Sequence, residues 1–458
     1  MAFRNSGSGE PRGGGPTVAL PEANVVNRPD IYIWGVYGVL IVLSIIELYS
    51  ASSFEISKQG LYGPLTRHIL FLFIGFMIIW VLQKIHYSRF ILPGIILAGI
   101  SVVAMIYVML FGEVINGAKR AIALPFMTLQ PAELIKISAV MILSFILGTT
   151  QLKKDENVRN KGLMWAAGIV LVFSGLLFTQ GLTNTLILMA LCVSMLIVGS
   201  LEFKKLLYIL AVFSMFGALA IGIKWAITPK EPAEKVIPVY VDQRGQAFEI
   251  PEAVGTTDMK TTSRATDHTW GNRLKSFTDK TPRYEQKLTA KNLQEMRSYM
   301  AQANGGWFGV FPGNSRETSR LPLAFSDFIF AIIVEDLGFI GGMVILVLYL
   351  ALLGRAYVIA YKCHQMYPAF LVTGCALLIA LQALCHMAIV SGAGPVSGQP
   401  LPLFSKGGTS ILVTSVAFGI MLSVSRFAAR GEASTSERET DQNSLPEALR
   451  AVNPTQEK

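Results

Sequence analysis

The sequence predicts an all-α polytopic membrane protein, and three observations carry that prediction. Of the 458 residues, 52% are hydrophobic and only 15% are charged, whereas a soluble domain usually carries about 25% charged residues. The mean hydropathy is positive, at +0.49. Apolar runs of roughly 20 residues, the length that spans a bilayer, recur through most of the chain. These features exclude disordered, collagen-like and disulfide-scaffold classes for the chain as a whole.

The apolar runs predict about ten transmembrane helices. They lie at 31–50, 68–82, 91–111, 132–148, 163–178, 184–199, 206–226, 325–353, 369–391 and 409–425. Lys and Arg concentrate in the cytoplasmic loops of membrane proteins, and here they cluster after the second, fourth, sixth, eighth and tenth runs. All five clusters fall on one side of the membrane if both termini are cytoplasmic, which predicts an N-in, C-in topology.

This organisation divides the chain into five segments. They are a disordered cytoplasmic tail without a signal peptide (1–30), helices 1–7 (31–226), a large extracytoplasmic loop (227–321), helices 8–10 (322–428) and a polar, disordered cytoplasmic tail (429–458). Long loops of this kind are more often functional or disordered than idle. Within the large loop, residues 229–268 are typical of flexible chain, whereas residues 291–303 predict an amphipathic helix that ends at Gly305 and Gly306.

The net charge of +9 is explained by the Lys and Arg residues beside the spans. Lys and Arg in those places set topology and attract anionic membrane lipids, so the charge does not predict nucleic-acid binding. The four cysteines match no zinc or redox spacing, and we expect them to be packing residues: Cys192, Cys363, Cys375 and Cys385. No ligand cluster in the sequence demands a metal.

Ionisable residues inside spans are costly, so each is a functional candidate. Asp327 lies at the outer mouth of the eighth run, where the large loop enters the membrane. Two interpretations stay open: a first-turn acid that favours the helix dipole, or a general base that acts on a substrate hydroxyl. Glu335 and Asp336 lie deeper in the same run, and for them polar contacts that hold the helix bundle together are favoured.

The fourth run opens with Gln-Pro-Ala-Glu-Leu-Ile-Lys. Its Glu133 and Lys136 are three residues apart and share a helix face, so they are expected to pair, either as a structural contact or as part of a cavity. Just before this run, residues 116–120 read Asn-Gly-Ala-Lys-Arg. Lys119 and Arg120 are either solvated at the outer surface or bind a phosphate, with which Arg forms bidentate hydrogen bonds.

The last outer loop, residues 394–410, is dense in Gly and Pro. Such a loop predicts non-helical backbone, which membrane depth tolerates only where it is buried in protein or lines a wet cavity. Lys406 precedes two glycines at a helix N-terminus, a position that suits an anion. In an ATP-binding Walker A loop the Lys follows the glycines, so this loop matches that motif poorly.

Taken together, these segments resemble the SEDS family (shape, elongation, division and sporulation), whose members are polytopic glycosyltransferases that polymerise peptidoglycan. The resemblance covers about 31–426 and rests on residues 116–120, 130–136, 304–315, 326–338 and 395–410. Residues 46–53, 398–403 and 405–410 look most like the division-specific FtsW branch of Bacteroidetes-type bacteria. The elongation-specific RodA branch is the close rival.

The resemblance implies a ten-helix fold and roles for particular residues. The family's essential aspartate falls on Asp327, its Glu/Lys pair on the fourth-span pair described above, and its basic pair on Lys119 and Arg120. A loop arginine ahead of Phe277 and Pro282 falls on Arg273. We therefore predict one catalytic residue, Asp327, with substrate or pyrophosphate contacts at Lys119, Arg120, Lys406 and Arg273, and structural or cavity contacts at Glu133, Lys136, Glu335, Gln382 and Ser405.

The chain departs from the family pattern at several positions. Ala121 and Ala132 replace an aromatic residue and a small hydroxyl residue, residues 297–298 read Arg-Ser where Gln-Ser is expected, and His386 stands where the ninth span usually has Asn. These changes bear on the details of the cavity more than on the reaction. For His386 itself we expect a hydrogen-bonded packing role.

The implied reaction is polymerisation of lipid II on the outer face of the cytoplasmic membrane, for septal wall synthesis. A growing glycan on undecaprenyl pyrophosphate is the donor, and an incoming lipid II is the acceptor. A divalent cation, Mg²⁺ or Mn²⁺, is compatible with this chemistry, although no cofactor is required by the sequence. The implied partners are a class B penicillin-binding protein and other divisome proteins.

Two further readings of the same features stay open. Intramembrane charges and broken helices also suit a lipid II flippase or another transporter. A transporter, however, places its key charges near the midplane, whereas Asp327 lies at the outer mouth. A non-catalytic divisome scaffold would tolerate loss of Asp327 while it still required its partner contacts.

Overall fold

The computed structural model describes residues 28–51, 64–115, 118–123, 128–150, 156–199, 211, 217, 239–241, 247–249, 292–318, 320–321 and 324–444. Within these ranges, eight helices are long and apolar enough to cross a membrane, and a further apolar helix has 17 residues. They coincide with nine of the ten predicted runs, and the prediction of an all-α membrane fold is confirmed. The seventh run, 206–226, lies outside the described residues except at positions 211 and 217.

The helices are numbered along the chain. They are α1 (Ile31–Ala51), α2 (Pro64–Leu82), α3 (Ile91–Phe111), α4 (Pro131–Thr150), α5 (Glu156–Gln180), α6 (Leu182–Val198), α7 (Leu293–Gly305), α8 (Ile329–Tyr361), α9 (Met366–Val390) and α10 (Gly408–Ser444). A 3-10 turn, Tyr87–Phe90, precedes α3. The amphipathic helix predicted in the large loop is present as α7.

Short antiparallel strands, which the sequence analysis did not predict, lie between some helices. Strands β1 (Glu113–Ile115), β2 (Ala118–Ala123) and β3 (Thr128–Leu129) form one sheet between α3 and α4, in the order β1-β2-β3. Strands β4 (Val239–Val241) and β5 (Ala247–Glu249) form a hairpin inside the stretch expected to be flexible. Four of the five described strands have only two or three residues, too few to show the alternation of apolar and polar residues that marks a strand in sequence, and the six residues of β2 do not alternate.

Three helices form the protein-buried centre of the bundle. In α4, α9 and α10, 72%, 67% and 83% of the apolar stretch is buried, against 28–33% in α1, α2, α3, α5 and α8. Small residues let the central helices approach closely: a Cβ on Gly148 of α4 would lie 2.6 Å from Tyr367 Cα of α9. The outer helices therefore present most of their apolar surface to lipid.

Asp30 joins three elements at one end of the bundle. Its Oδ1 accepts hydrogen bonds from the backbone N–H groups of Tyr32 and Ile33, which caps α1. Its Oδ2 accepts two more from Arg355 of α8, at 2.8 and 2.5 Å, and its own N–H donates to Ser425 Oγ of α10. The start of α1 and the distal parts of α8 and α10 thus share one end of the bundle.

Helix α8 is broken at Gly338, where φ is 72° and ψ is −177°. The chain that follows α7 fills the break. Val310 N–H donates to the Glu335 carbonyl at 2.9 Å, and Phe339 N–H donates to the Gly306 carbonyl at 2.9 Å. Backbone groups freed by the break are thereby satisfied within the protein, the condition for irregular backbone at membrane depth.

Helix α10 extends beyond the span predicted at 409–425. It continues through Ser444, into the segment 429–458 that the sequence analysis assigns to a disordered tail. The added residues contain Ala, Glu, Arg and Gln, which are good helix formers. Their low hydrophobicity suggested disorder, whereas their intrinsic propensity continues a helix that the membrane span has already nucleated.

Candidate active site

Asp327 lies in the turn of residues 324–328 that leads into α8. The residue is partly exposed, whereas its neighbour Phe328 is buried. The helix begins at Ile329, so Asp327 precedes it, and the span expected to begin at residue 325 begins four residues later. The turn places the aspartate beside the N-terminal end of α8.

Two hydrogen bonds join this turn to the last outer loop. The Ser405 hydroxyl donates to the Ser326 carbonyl at 2.7 Å, and the Lys406 N–H donates to the Phe325 carbonyl at 3.0 Å. The Lys406 ammonium also lies 4.3 Å from the centre of the Phe325 ring, a cation–π contact. The predicted base and one predicted pyrophosphate contact are therefore carried by segments that are hydrogen-bonded to each other.

Residues 401–405 of this loop are buried in protein, one of the two environments that its Gly and Pro content allows. Its carbonyl groups accept hydrogen bonds from side chains of three helices: Ser44 of α1 bonds Leu403, Tyr349 of α8 bonds Pro402, Gln382 of α9 bonds Pro400, and His386 of α9 bonds Gln399. These distances are 2.7, 2.5, 3.4 and 2.6 Å, respectively. Because buried backbone groups need partners, the contacts hold the loop in one conformation. His386 has the hydrogen-bonded packing role expected for it.

A buried charge pair lies beside the loop. Lys136 Nζ and Glu133 Oε1 of α4 are 2.6 Å apart, and the two side chains are 0% and 3% exposed. Gln382 Nε2 lies 3.4 Å from Glu133 Oε2 and 3.4 Å from the Pro400 carbonyl. Gln382 thus links the ion pair to the loop, and these three predicted cavity residues lie together.

The predicted basic pair lies on β2. Strand β3 continues this sheet into α4, and Thr409 at the start of α10 contacts it: the Thr409 hydroxyl donates to the Thr128 carbonyl at 2.6 Å and accepts from Gln130 N–H at 3.3 Å. The sheet that carries Lys119 and Arg120 therefore meets α10 at the same end as Lys406. Arg273, with Phe277 and Pro282, lies outside the described residues.

Glu335 binds a different part of the chain. Its carboxylate accepts hydrogen bonds from the Ser315 hydroxyl, from Arg316 N–H at 3.1 Å and from Asn304 Nδ2 at 3.2 Å. The neighbouring Asp336 accepts from the Ser50 hydroxyl, which itself accepts from Gly313 N–H at 2.9 Å. The two acids hold the chain after α7 against α8 and α1, and are not brought to the loop that carries Lys406.

Glu47, within residues 46–53, is a buried acid that the sequence-based predictions do not include. Its side chain on α1 is fully buried, and neither carboxylate oxygen has a hydrogen-bond partner among the described residues. It lies within electrostatic reach of Asp336. The sequence does contain a signal for Glu47, because an ionisable residue inside an apolar run is a functional candidate by default.

No metal centre is evident in the part of the chain that the structure describes, where no three His, Cys, Asp or Glu residues group so as to hold an ion. The four cysteines are unpaired thiols. Outside the spans, burial raises the pKa of the Cys363 thiol to about 12, so this thiol stays protonated and unreactive at neutral pH. These observations fit the packing role expected for the cysteines.

Comparison with known proteins places the chain in a family context. Residues 30–249 and 259–430 match the cell cycle protein family of FtsW, RodA and SpoVE. A relative from Trichlorobacter lovleyi, named "Probable peptidoglycan glycosyltransferase FtsW", is 29% identical over 389 residues, which cover 83% of this chain and 89% of the relative.

Solved structures have the same fold. A chain of a peptidoglycan synthase complex that coordinates polymerization and crosslinking superposes with a TM-score of 0.61 at 20% identity, covering 87% of this chain and 98% of that chain. The rod shape determining protein RodA of Thermus thermophilus gives a TM-score of 0.56 at 21% identity, covering 87% and 97%. At these identities the similarity establishes the fold.

Proposed function

The chain belongs to the FtsW, RodA and SpoVE family of cell cycle proteins, and we propose that it is a peptidoglycan glycosyltransferase that polymerises lipid II on the outer face of the cytoplasmic membrane. The observation that carries the proposal is the turn of Asp327, hydrogen-bonded to the loop of Lys406. It links the segment that carries a partly exposed carboxylate to the segment that carries a cation, and glycosyl transfer from a pyrophosphate uses both charges. The relative from Trichlorobacter lovleyi is named as a probable peptidoglycan glycosyltransferase, which supports the same activity.

In the proposed reaction, Asp327 takes the proton of the acceptor's 4-hydroxyl group. The hydroxyl oxygen forms a bond to the anomeric carbon of the donor sugar as the bond from that carbon to the pyrophosphate oxygen breaks. Undecaprenyl pyrophosphate leaves with the bonding electron pair. A positioned base of this kind contributes about 10²–10⁴-fold to the rate.

The leaving pyrophosphate needs positive charge fixed before the reaction begins. Lys406 supplies it from the last outer loop, and Lys119 and Arg120 supply it from β2. Arg273 is the fourth proposed contact. A divalent cation, Mg²⁺ or Mn²⁺, would add further charge stabilisation, and removal by EDTA followed by metal replacement tests whether the reaction uses one.

The ion pair of Glu133 and Lys136 has a positioning role in this proposal. It is buried beside the loop and reaches it through Gln382. A buried pair with a further hydrogen-bonding partner restricts the conformations of its surroundings. Gln382 and Ser405 keep the loop at one distance from the turn of Asp327, while Glu335 stabilises the chain that follows α7.

We place the reaction at the division septum, with a class B penicillin-binding protein that crosslinks the product strands and with other divisome proteins nearby. The solved complex with the same fold is described as coordinating polymerization and crosslinking, which supports a crosslinking partner. Co-purification of the chain with its cognate class B protein, followed by measurement of polymer length with and without that protein, tests this part.

Transport of lipid II is the competing function, because α8 is broken at Gly338 and broken helices form the binding sites of many transporters. The backbone groups freed at this break are already bonded to the chain after α7, which favours a structural break over a substrate site. A lipid II translocation assay on the same preparation distinguishes the two functions.

The first test is polymerisation of labelled lipid II by purified, reconstituted protein, beside the Asp327→Asn variant. We expect polymer from the wild type and a loss of about 10²–10⁴-fold in the variant, with Asp327→Glu retaining part of the rate. Polymer formed by Asp327→Asn at the wild-type rate would refute the assignment of the base. Absence of polymer under every partner condition would refute the transferase.

A further inference from the structure

A cavity of about 220 Å³ lies between the junction of α5 with α6, the end of α9 and the last outer loop. Its walls are formed by residues 180–184 and 186, by residues 385, 388 and 389, and by residues 393–399. The loop that forms one wall continues to Ser405, which bonds the turn of Asp327. The cavity therefore opens at the same end of the bundle as the candidate active site.

Three buried polar atoms of this wall have no hydrogen-bond partner among the described residues. They are Asn184 Oδ1, Ser397 Oγ and Gln399 Oε1. Buried polar groups are nearly always paired, and an unpaired one calls for an explanation. Since all three belong to residues that line one cavity, a ligand that donates hydrogen bonds inside the cavity would satisfy them together.

The wall is rigid where it carries these groups. Gln399 is 4% exposed, and its own carbonyl accepts a hydrogen bond from His386 Nδ1 at 2.6 Å. The next carbonyl, of Pro400, is 3.4 Å from Gln382 Nε2. Because α9 holds the backbone carbonyls of Gln399 and Pro400, this part of the wall is positioned before any ligand arrives, which lowers the entropy that binding must offset.

The lining also defines the chemistry of the ligand. Among the residues that the structure describes, the lining contains no Asp, Glu, Lys or Arg, and it includes the apolar side chains of Leu182, Leu186 and Ile389. This described lining offers no opposite charge to a phosphate or a cation. A ligand with hydroxyl and amide N–H donors and a small apolar group does fit. The volume is below the roughly 300–1,000 Å³ of pockets that hold a whole drug-sized ligand, so the cavity accommodates one unit of a larger molecule.

We propose that this cavity binds one neutral, N-acetylated sugar ring of the membrane-linked glycan. The inference rests on the proposed function and extends it with a saccharide subsite separate from the cations that face pyrophosphate. The amide oxygens of Asn184 and Gln399 accept from sugar hydroxyl or acetamide N–H groups, and Ser397 donates or accepts. The apolar wall receives the acetamide methyl group.

The position of the cavity suits a subsite for the extended part of the chain. Ser405 follows Gln399 by six positions, so the backbone between the cavity wall and the residue that bonds the turn of Asp327 spans at most about 20 Å. A glycan bound both in the cavity and at the candidate active site would contact the enzyme through more than one sugar ring. These contacts keep the polymer bound between additions and raise the local concentration of its reacting end.

The test measures saccharide binding without catalysis. Saturation-transfer NMR on the full-length, detergent-solubilised protein would follow the acetamide methyl protons of the neutral oligosaccharide chitotetraose. The variants are Asn184→Leu and Gln399→Leu, with Asn160→Leu as the matched control. Asn160 lies on α5 at the end opposite the cavity and is partly exposed.

We expect each cavity variant to bind chitotetraose about tenfold more weakly, the effect of one lost hydrogen bond, and Asn160→Leu to bind it like the wild type. Melting temperatures of the cavity variants should equal or exceed that of the wild type, because leucine replaces an unpaired buried polar group. Cellotetraose, which lacks acetamide groups, should bind more weakly than chitotetraose.

Three results would overturn the inference: no chitotetraose signal with the wild type, equal binding by the cavity variants, or displacement of chitotetraose by undecaprenyl phosphate, which would indicate a lipid-tail pocket. Lipid II polymerisation measured on the same wild-type preparation separates this inference from the proposed function. Polymer without a saccharide signal refutes the subsite alone. A saccharide signal that the variants lose, in a preparation that makes no polymer under any partner condition, supports the subsite and refutes the transferase.

Discussion

Ser405 and Ser326 are joined by a hydrogen bond of 2.7 Å, in which the Ser405 hydroxyl donates to the Ser326 carbonyl. The same hydroxyl accepts from Leu401 N–H at 2.7 Å. One buried side chain therefore closes the outer loop on itself and attaches it to the turn of Asp327. The geometry of the candidate active site depends on this contact between segments 79 residues apart in sequence.

Replacing Ser405 by Ala is expected to lower the turnover of lipid II polymerisation by about 10²-fold, the cost of a displacement of roughly 1 Å at a reacting centre. The substitution removes both hydrogen bonds, so the loop and the turn lose their common position. Ser405→Thr, which keeps the hydroxyl, should recover part of the rate. The measurement is kcat and KM separately, in reconstituted membranes.

Ser144→Ala is the matched control for this variant. Ser144 is equally buried, but its hydroxyl donates to the Val140 carbonyl within α4 itself. Its loss should leave kcat unchanged. Equal rates for Ser405→Ala and the wild type would show that the contact does not position the site.

Replacing Lys136 by Met is expected to destabilise the protein by about 3–5 kcal/mol, because it leaves the Glu133 carboxylate buried without its cation. The double variant Glu133→Gln with Lys136→Met should recover most of that loss, since no uncompensated charge remains. Thermal unfolding of the detergent-solubilised single and double variants gives the coupling between the two residues. Additive effects of the two substitutions would contradict the pairing seen at 2.6 Å.

Replacing Gly338 by Ala is expected to destabilise the fold by about 3 kcal/mol or more. The backbone at φ 72° and ψ −177° is a conformation that is essentially restricted to glycine. A Cβ there would also lie 2.3 Å from the Trp307 carbonyl oxygen. The chain after α7 should detach from α8, which limited proteolysis and the melting temperature would both report.

Gly354→Ala is the control, on the same helix. A Cβ at Gly354 meets no atom within 4 Å, and alanine is the better helix former by up to about 1 kcal/mol. Its melting temperature should equal or exceed that of the wild type. A similar loss of stability in both variants would mean that α8 responds to any added methyl group, and that the break has no special role.

Replacing Glu47 by Leu is expected to raise the stability by about 1 kcal/mol or more. Both carboxylate oxygens are buried without a partner among the residues that the structure describes, close to a second acid, Asp336. Burial of such a group is costly, and leucine fills a similar volume. The melting temperature measures the effect.

Glu133→Leu provides the contrast to Glu47→Leu, since Glu133 is a buried glutamate with two partners and its loss should lower the melting temperature. A lower melting temperature for Glu47→Leu would show that the Glu47 carboxyl group makes a stabilising contact in the membrane.

Much of the fold follows from the sequence alone. The length and apolarity of the runs determine the spans, because a bilayer sets both the length of a helix and the cost of polar groups within it. The pairing of Glu133 with Lys136 follows from helical spacing. The Gly and Pro content of residues 394–410 predicts non-helical backbone that is either buried in protein or lines a wet cavity. Each of these features is local, so a single stretch of sequence contains the information.

Tertiary structure decided the rest. Ser44 bonds the carbonyl of Leu403 across 359 positions of sequence, and no periodicity records such a contact. The break at Gly338 exists because the chain after α7 occupies it, so the segment that requires the glycine lies about 30 residues earlier. The unpaired state of Glu47, and the cavity formed by Asn184 with Gln399, likewise depend on which helices meet. Hydrophobic patterning determines what is buried, but only packing determines which buried groups face each other.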